Sequence, residues 1–231
     1  MRHTSTWGRA VVVGLILTGV TEAVPEDAGA WQVDRPPSSR VAEASASAAP
    51  PKRMSVAKID RGGIRVDGRL AEEVWATATF RSDFMQRGTD RGFEPRVETQ
   101  VAFLYDDEAL YVGARMQRDP RGGVGPLLGA RDNPGNAERI LVSLDTYRDR
   151  TTAYTFGVTR GGVRVDFVQA RDRAGWVDDS FDPVWDARVA ADSAGWTAEM
   201  RIPFSQLRFS PGDEQVWGLN VRRWNPATYL D

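Results

Sequence analysis

Residues Ile140–Phe167, ILVSLDTYRDRTTAYTFGVTRGGVRVDF, decide the fold class. Ile140, Val142 and Leu144 occupy alternate positions, as do Tyr154, Phe156 and Val158, and then Val163, Val165 and Phe167. Successive side chains of a strand point to opposite faces, so a period of two gathers each apolar set on one buried face. Gly161-Gly162 separates the last two sets. Glycine reaches positive φ without steric cost, and the pair reads as a hairpin turn. The same period continues outward on both sides. Val101, Phe103 and Tyr105 lead into Asp106-Asp107-Glu108, a turn, with Leu110 and Val112 beyond it. Trp196, Ala198, Met200 and Ile202 alternate, and Trp217, Leu219 and Val221 close the series. Short strands following strands, with Gly, Asp and Asn turns between them, predict an all-β domain, a β-sandwich of jelly-roll type. Ile64–Asp67 reads as a further strand. Arg69–Ala78 (RLAEEVWATA) has helical spacing, with Leu70 and Val74 on one face, and predicts one short N-terminal helix. Gly122–Gly135 reads as a long loop of the kind that carries function.

Composition narrows the classes. The 231 residues are 41% hydrophobic and 10% aromatic, enough to fill a core, and the formal net charge is -2. Arginines are interleaved with acids along the chain, which argues against a nucleic-acid partner. There is no cysteine, and the one histidine is His3. Disulfides, thiolate metal sites, Ser-His-Asp triads and histidine acid–base chemistry are therefore excluded. Arg2, His3 and Arg9 precede the apolar run Ala10–Val20, and Thr21-Glu22-Ala23 follows as a small-x-small site. This pattern predicts a signal peptide over 1–23 and an exported protein, periplasmic, outer-membrane-associated or secreted. Residues 24–54 are rich in Ala, Pro and Ser and lack an apolar period, which predicts a disordered linker. The sandwich is then expected over 55–231.

Four stretches go beyond generic strand patterning: IRVDGRLAEEVW at 64–75, VAFLYDDEALYVGAR at 101–115, VSLDTYRDRTTAYTFGVTRGGVRVD at 142–166, and the segment 185–220. That last segment opens WDARVAADSAGWTAEMRIPFSQLRF and ends in QVWGLN. Together they resemble the family 9 carbohydrate-binding modules. They are most similar to the module-9-like domain at the N-terminus of exported bacterial proteins with a long β-barrel-like C-terminal region. The resemblance implies a sandwich that binds a polysaccharide or oligosaccharide between aromatic rings, with calcium as a structural cofactor. It also implies a tether to an outer-membrane β-barrel, with the sandwich cut short soon after Asn225.

Trp176, Trp185 and Trp224 lie in loop-like, Asp-rich contexts, where an exposed indole suits the flat C–H face of a sugar. Turn packing is the competing reading. Arg115 is expected either to fork onto sugar hydroxyls or to pair with an acid. Asn225 is the polar partner that the resemblance implies beside Trp224. Asp145 and Asp149 stand four apart in a strand-to-strand loop and are the candidate calcium ligands, or else residues of a solvated turn. Glu199 and Arg201 alternate with apolar residues and are expected to point away from the core. The sequence contains no nucleophile-and-base signature, phosphate loop or dinucleotide fingerprint. Non-catalytic binding is the leading expectation. A periplasmic interaction domain of a barrel protein and a glycoside hydrolase are the alternatives.

Overall fold

The computed structural model describes the backbone of Val11–Leu15 and residues 52–86, 97–120, 130–170 and 177–226. The strands are β1 (Val11–Leu15), β2 (Arg53–Lys58), β3 (Thr99–Tyr105), β4 (Ala109–Gln117), β5 (Arg139–Asp145), β6 (Thr152–Thr159), β7 (Arg164–Ala170), β8 (Val177–Asp178), β9 (Asp186–Ala191), β10 (Gly195–Pro203) and β11 (Gln215–Trp224). They run in the order β8-β7-β6-β5-β11-β1-β2-β3-β4-β10-β9. The order forms two layers. Sheet I is β8-β7-β6-β5-β11 and sheet II is β2-β3-β4-β10-β9. β1 lies between them, parallel to β11 and antiparallel to β2.

The apolar sets anticipated on β3, β4, β5, β6, β10 and β11 meet between the sheets. The set Val163, Val165 and Phe167 does not, because core residue Phe156 pairs with Asp166, which turns Val165 and Phe167 of β7 to the outer face. Ile140, Val142, Leu144, Phe156, Val158, Trp217 and Leu219 of sheet I pack in one core with Val101, Phe103, Leu110, Val112, Trp196, Met200 and Ile202 of sheet II. Each burial removes an aliphatic or aromatic side chain from water, worth about 1.5–3 kcal/mol. The hairpin at Gly161-Gly162 forms, with Gly162 at φ 84 and its N–H donated to the Thr159 carbonyl. Asp106 Oδ1 accepts the N–H groups of Glu108 and Ala109, closing the β3–β4 hairpin.

Several boundaries differ from the sequence reading. The helix α1 covers only Glu73–Thr77, and residues 64–67 form no strand. They are instead held by side chains of sheet II, described below. β2 begins at Arg53, inside the stretch expected to be linker. Val11–Leu15, part of the expected signal peptide, is placed as a strand. The rest of the expected signal peptide, the linker up to residue 51, most of the expected loop 122–135 and Trp176 lie outside the described residues.

Candidate functional site

Alternation gives sheet II an outer face as well as an inner one. On that outer face Ala102, Leu104, Ala109 and Tyr111 form a second cluster, covered by Ile64 and Trp75. Residues 64–77 thus lie across the sheet as a flap. Gly113 sits beneath it, and a Cβ there would stand 2.8 Å from both Leu70 Cδ2 and Trp75 Cζ3.

One buried acid fastens the flap. Glu199 is 0% exposed. Its Oε2 accepts the Asp67 N–H at 2.8 Å and the Gly68 N–H at 2.7 Å, and its Oε1 accepts Trp75 Nε1–H at 2.8 Å. Thr197, the next outward residue of β10, donates its hydroxyl to the Gly68 carbonyl at 2.5 Å. Gly68 has φ +90, and a Cβ would lie 2.5 Å from the Val189 carbonyl carbon, so no larger residue fits this crossing. Burial raises the Glu199 pKa above the ordinary carboxylate value, against the lowering effect of the three N–H donors. The expectation for Glu199 was half right. It points away from the inter-sheet core, but the flap buries it.

Where the flap ends, the outer face stays open. Gln100, Arg115, Thr197 and Ala190 stand side by side across β3, β4, β10 and β9. With Glu98, Gln117 and Asp192 below and Arg69 and Leu70 as a wall, they line a groove of about 660 Å³. Ligand sites commonly enclose roughly 300–1,000 Å³. Among the described residues Arg115 has no ion-pair partner. Its guanidinium lies over the Phe80 ring, 3.9 Å from the centroid. The groove is rich in hydrogen-bonding groups: Gln100 donates to Glu98 Oε1 at 2.7 Å, and Gln117 Oε1 accepts the Glu98 N–H at 3.0 Å.

The other expected binding residues are not gathered here. Trp224 is half-buried on the outer face of sheet I, opposite Arg139, whose guanidinium lies 5.2 Å from its ring centroid. Asn225 follows it and is buried. Arg115 and Trp224 therefore share one end of the sandwich but lie on opposite outer faces. Between them runs Arg223, which pairs with Glu138 at 2.5 Å, both side chains being 7% exposed. Arg223 also reaches across the layers to the carbonyls of Glu98 and Gln117, at 3.1 and 2.7 Å.

Trp185 is not the exposed ring expected from its Asp-rich context. It is 4% exposed, packs edge-on to Phe156 at 5.3 Å, and donates its indole N–H to Asp166 at 2.8 Å. Asp166 is itself buried and is clasped by Arg131. Asp166, distant in sequence, thus anchors the ring from inside.

Asp145 lies at the opposite end of β5 from Arg139, about 20 Å away at ~3.3 Å per residue. Its two carboxylate oxygens accept the N–H groups of Asp149 and Arg150, at 3.2 and 2.9 Å. Asp149 Oδ1 accepts those of Thr151 and Thr152 at 2.7 and 2.9 Å. Calcium requires six to eight oxygen ligands, and here backbone donors already face three of the four carboxylate oxygens. In this structure both acids cap the turn between β5 and β6. Among the described residues no group of three or more His, Cys, Asp or Glu is placed to hold a metal ion.

The residues that sequence reasoning missed are Phe80, Arg69, Gln100, Gln117 and Thr197. Gln100, Arg115 and Gln117 share a strand face by alternation, and that polar row was the available signal.

Comparison with solved structures agrees with this architecture. A protein from Bacteroides uniformis assigned to carbohydrate binding superposes with a TM-score of 0.50, at 11% identity over 74% of this chain and 88% of its own. At this identity the likeness is one of fold, an all-β sandwich. Two family 9 carbohydrate-binding-module structures from Caldicellulosiruptor kristjanssonii also align. The glucose complex does so at 16% identity and a TM-score of 0.48, over 71% of this chain and 75% of that one. The cellotriose complex gives 14%, 0.45, 74% and 88%. No protein-family profile matches the chain, and no curated protein does.

Proposed function

We propose that this chain is a non-catalytic carbohydrate-binding domain whose ligand lies in the groove on the outer face of sheet II. The observation that carries the reading is the groove itself: about 660 Å³, floored by side chains of four adjacent strands and bounded by Arg69 and Leu70. Its lining carries amide, guanidinium and hydroxyl groups on adjacent strands, which suits a ligand bearing hydroxyls. Arg115, held over Phe80 at 3.9 Å, is offered with less entropy cost than a free side chain. The neighbours in complex with glucose and cellotriose support sugar as the ligand class. Catalysis is disfavoured by the state of the groove acids. Asp192 Oδ1 is committed to the N–H groups of Ala194 and Gly195, and Glu98 Oε1 to Gln100. Export, participation in polysaccharide breakdown and a tether to an outer-membrane barrel complete the proposal on sequence grounds.

The test is isothermal titration of the domain against soluble plant and bacterial oligosaccharides. Binding that Gln100→Ala and Gln117→Ala weaken is the expected result. The absence of heat across the panel with a folded protein overturns the reading.

A further inference from the structure

We infer that the groove selects an acidic glycan, one carrying a uronic-acid carboxylate. This inference rests on the groove being the sugar site and goes further by naming the sugar's chemistry.

Two guanidiniums border the groove, Arg69 on the flap and Arg115 on the sheet. Neither has a carboxylate within ion-pair distance among the described residues. This contrasts with Arg81, Arg131, Arg201 and Arg223, each of which has an acid partner. Two acids also line the groove, and one oxygen of each is already occupied: Asp192 Oδ1 caps the β9–β10 turn, and Glu98 Oε1 accepts from Gln100. Arg115 lies over the Phe80 ring, 3.9 Å from its centroid, so its cation is partly desolvated on one side, and a guanidinium bonds through its N–H edge. A planar carboxylate accepts two parallel bonds from such an edge. Arg69 is placed by its neighbours. Glu199 holds the Asp67 and Gly68 N–H groups, and Asp67 Oδ1 accepts the Arg69 N–H at 2.9 Å. The two arginines thus line one cleft, Arg69 from the flap and Arg115 from the sheet. The hydroxyls of the same sugar ring are matched by the amides of Gln100 and Gln117.

The experiment uses three trisaccharides on the whole protein: tri-galacturonate, its methyl ester, and cellotriose. The ester keeps the ring and removes the charge. Charge-assisted hydrogen bonds add about 1.5–3 kcal/mol, so the acid is expected to bind roughly 10–100-fold tighter than its ester. That ratio is expected to shrink as ionic strength rises from about 0.01 to 1 M, where the screening length falls from ~30 to ~3 Å. Arg115→Gln and Arg69→Gln are each expected to bring the acid-to-ester ratio toward one. Arg69 is exposed, so its variant tests the idea even where loss of the Phe80 contact disturbs the fold of the Arg115 variant. Equal binding of acid and ester by the wild type overturns this inference while leaving carbohydrate binding standing. No binding of any of the three overturns both. Displacement of tri-galacturonate by an equal concentration of citrate marks a plain anion site and also overturns it.

Discussion

Removing the Glu199 carboxylate is expected to release the flap and cost the domain a large share of its stability. Three donors converge on it at 2.7–2.8 Å, and the side chain has no access to solvent. Breaking a buried, hydrogen-bonded charge network by deleting one partner costs about 3–5 kcal/mol, chiefly because the donors left behind stay desolvated. In Glu199→Ala those donors are the indole N–H of Trp75 and two backbone N–H groups. For a domain of this size about 2–4 °C of melting temperature accompanies each kcal/mol, so a drop of roughly 6–20 °C is expected. Glu199→Gln keeps one oxygen acceptor but turns an NH₂ toward a donor, and about 1–2 kcal/mol is expected. The pH dependence adds a signature. Burial raises the folded-state pKa, so the proton is held more tightly in the folded chain than in the unfolded one. The stability from this group is fully present below the unfolded value of about 4.3 and is lost as pH rises through the raised value. The wild type's advantage over Glu199→Gln should therefore shrink as pH rises through that window. Urea denaturation followed by circular dichroism at a series of pH values reads both quantities. An alanine variant within about 1 kcal/mol of wild type, or a gap that widens with pH, would refute the reasoning.

Two further outcomes follow from packing. Gly68→Ala combines a positive φ with a Cβ driven into the Val189 backbone, and about 3–5 kcal/mol of destabilisation is expected in a chemical melt. Arg223→Met leaves Glu138 buried with only Arg160 at 3.9 Å and removes the bonds that cross between the sheets. A loss of about 3–5 kcal/mol is expected there, with faster hydrogen exchange at the start of β3 and the end of β11.

Two segments of the stretches that carry the resemblance, VDGRLAEEVW and GWTAEMRIPF, are far apart in the chain and meet in the fold through Thr197 and Glu199. Glu199 of the second accepts from Asp67, Gly68 and Trp75 of the first. Neither segment shows this by itself, because a single acid at an outward position looks the same whether solvent or a flap lies over it. The same blindness explains Trp185. Asp-rich surroundings suggested exposure, yet a buried acid, Asp166, and Phe156 draw the ring inward. Asp145 and Asp149 read equally well as metal ligands or turn residues until the directions of the backbone N–H groups were known.

What the sequence alone determined was the all-β class and the inner faces of β3, β4, β5, β6, β10 and β11, because period-two alternation is a local property of an extended chain. The inward face of β7 needed the register that sets Asp166 against Phe156. The sequence also determined what chemistry is missing, since cysteine is absent and the only histidine lies at position 3. The tertiary structure alone decided which outward faces are covered and which are open. Arg115 and Glu199 both point outward from neighbouring strands of sheet II, one into a groove and one beneath a flap. The difference comes from residues 64–77 crossing the sheet at Gly113, a long-range contact that no local pattern specifies.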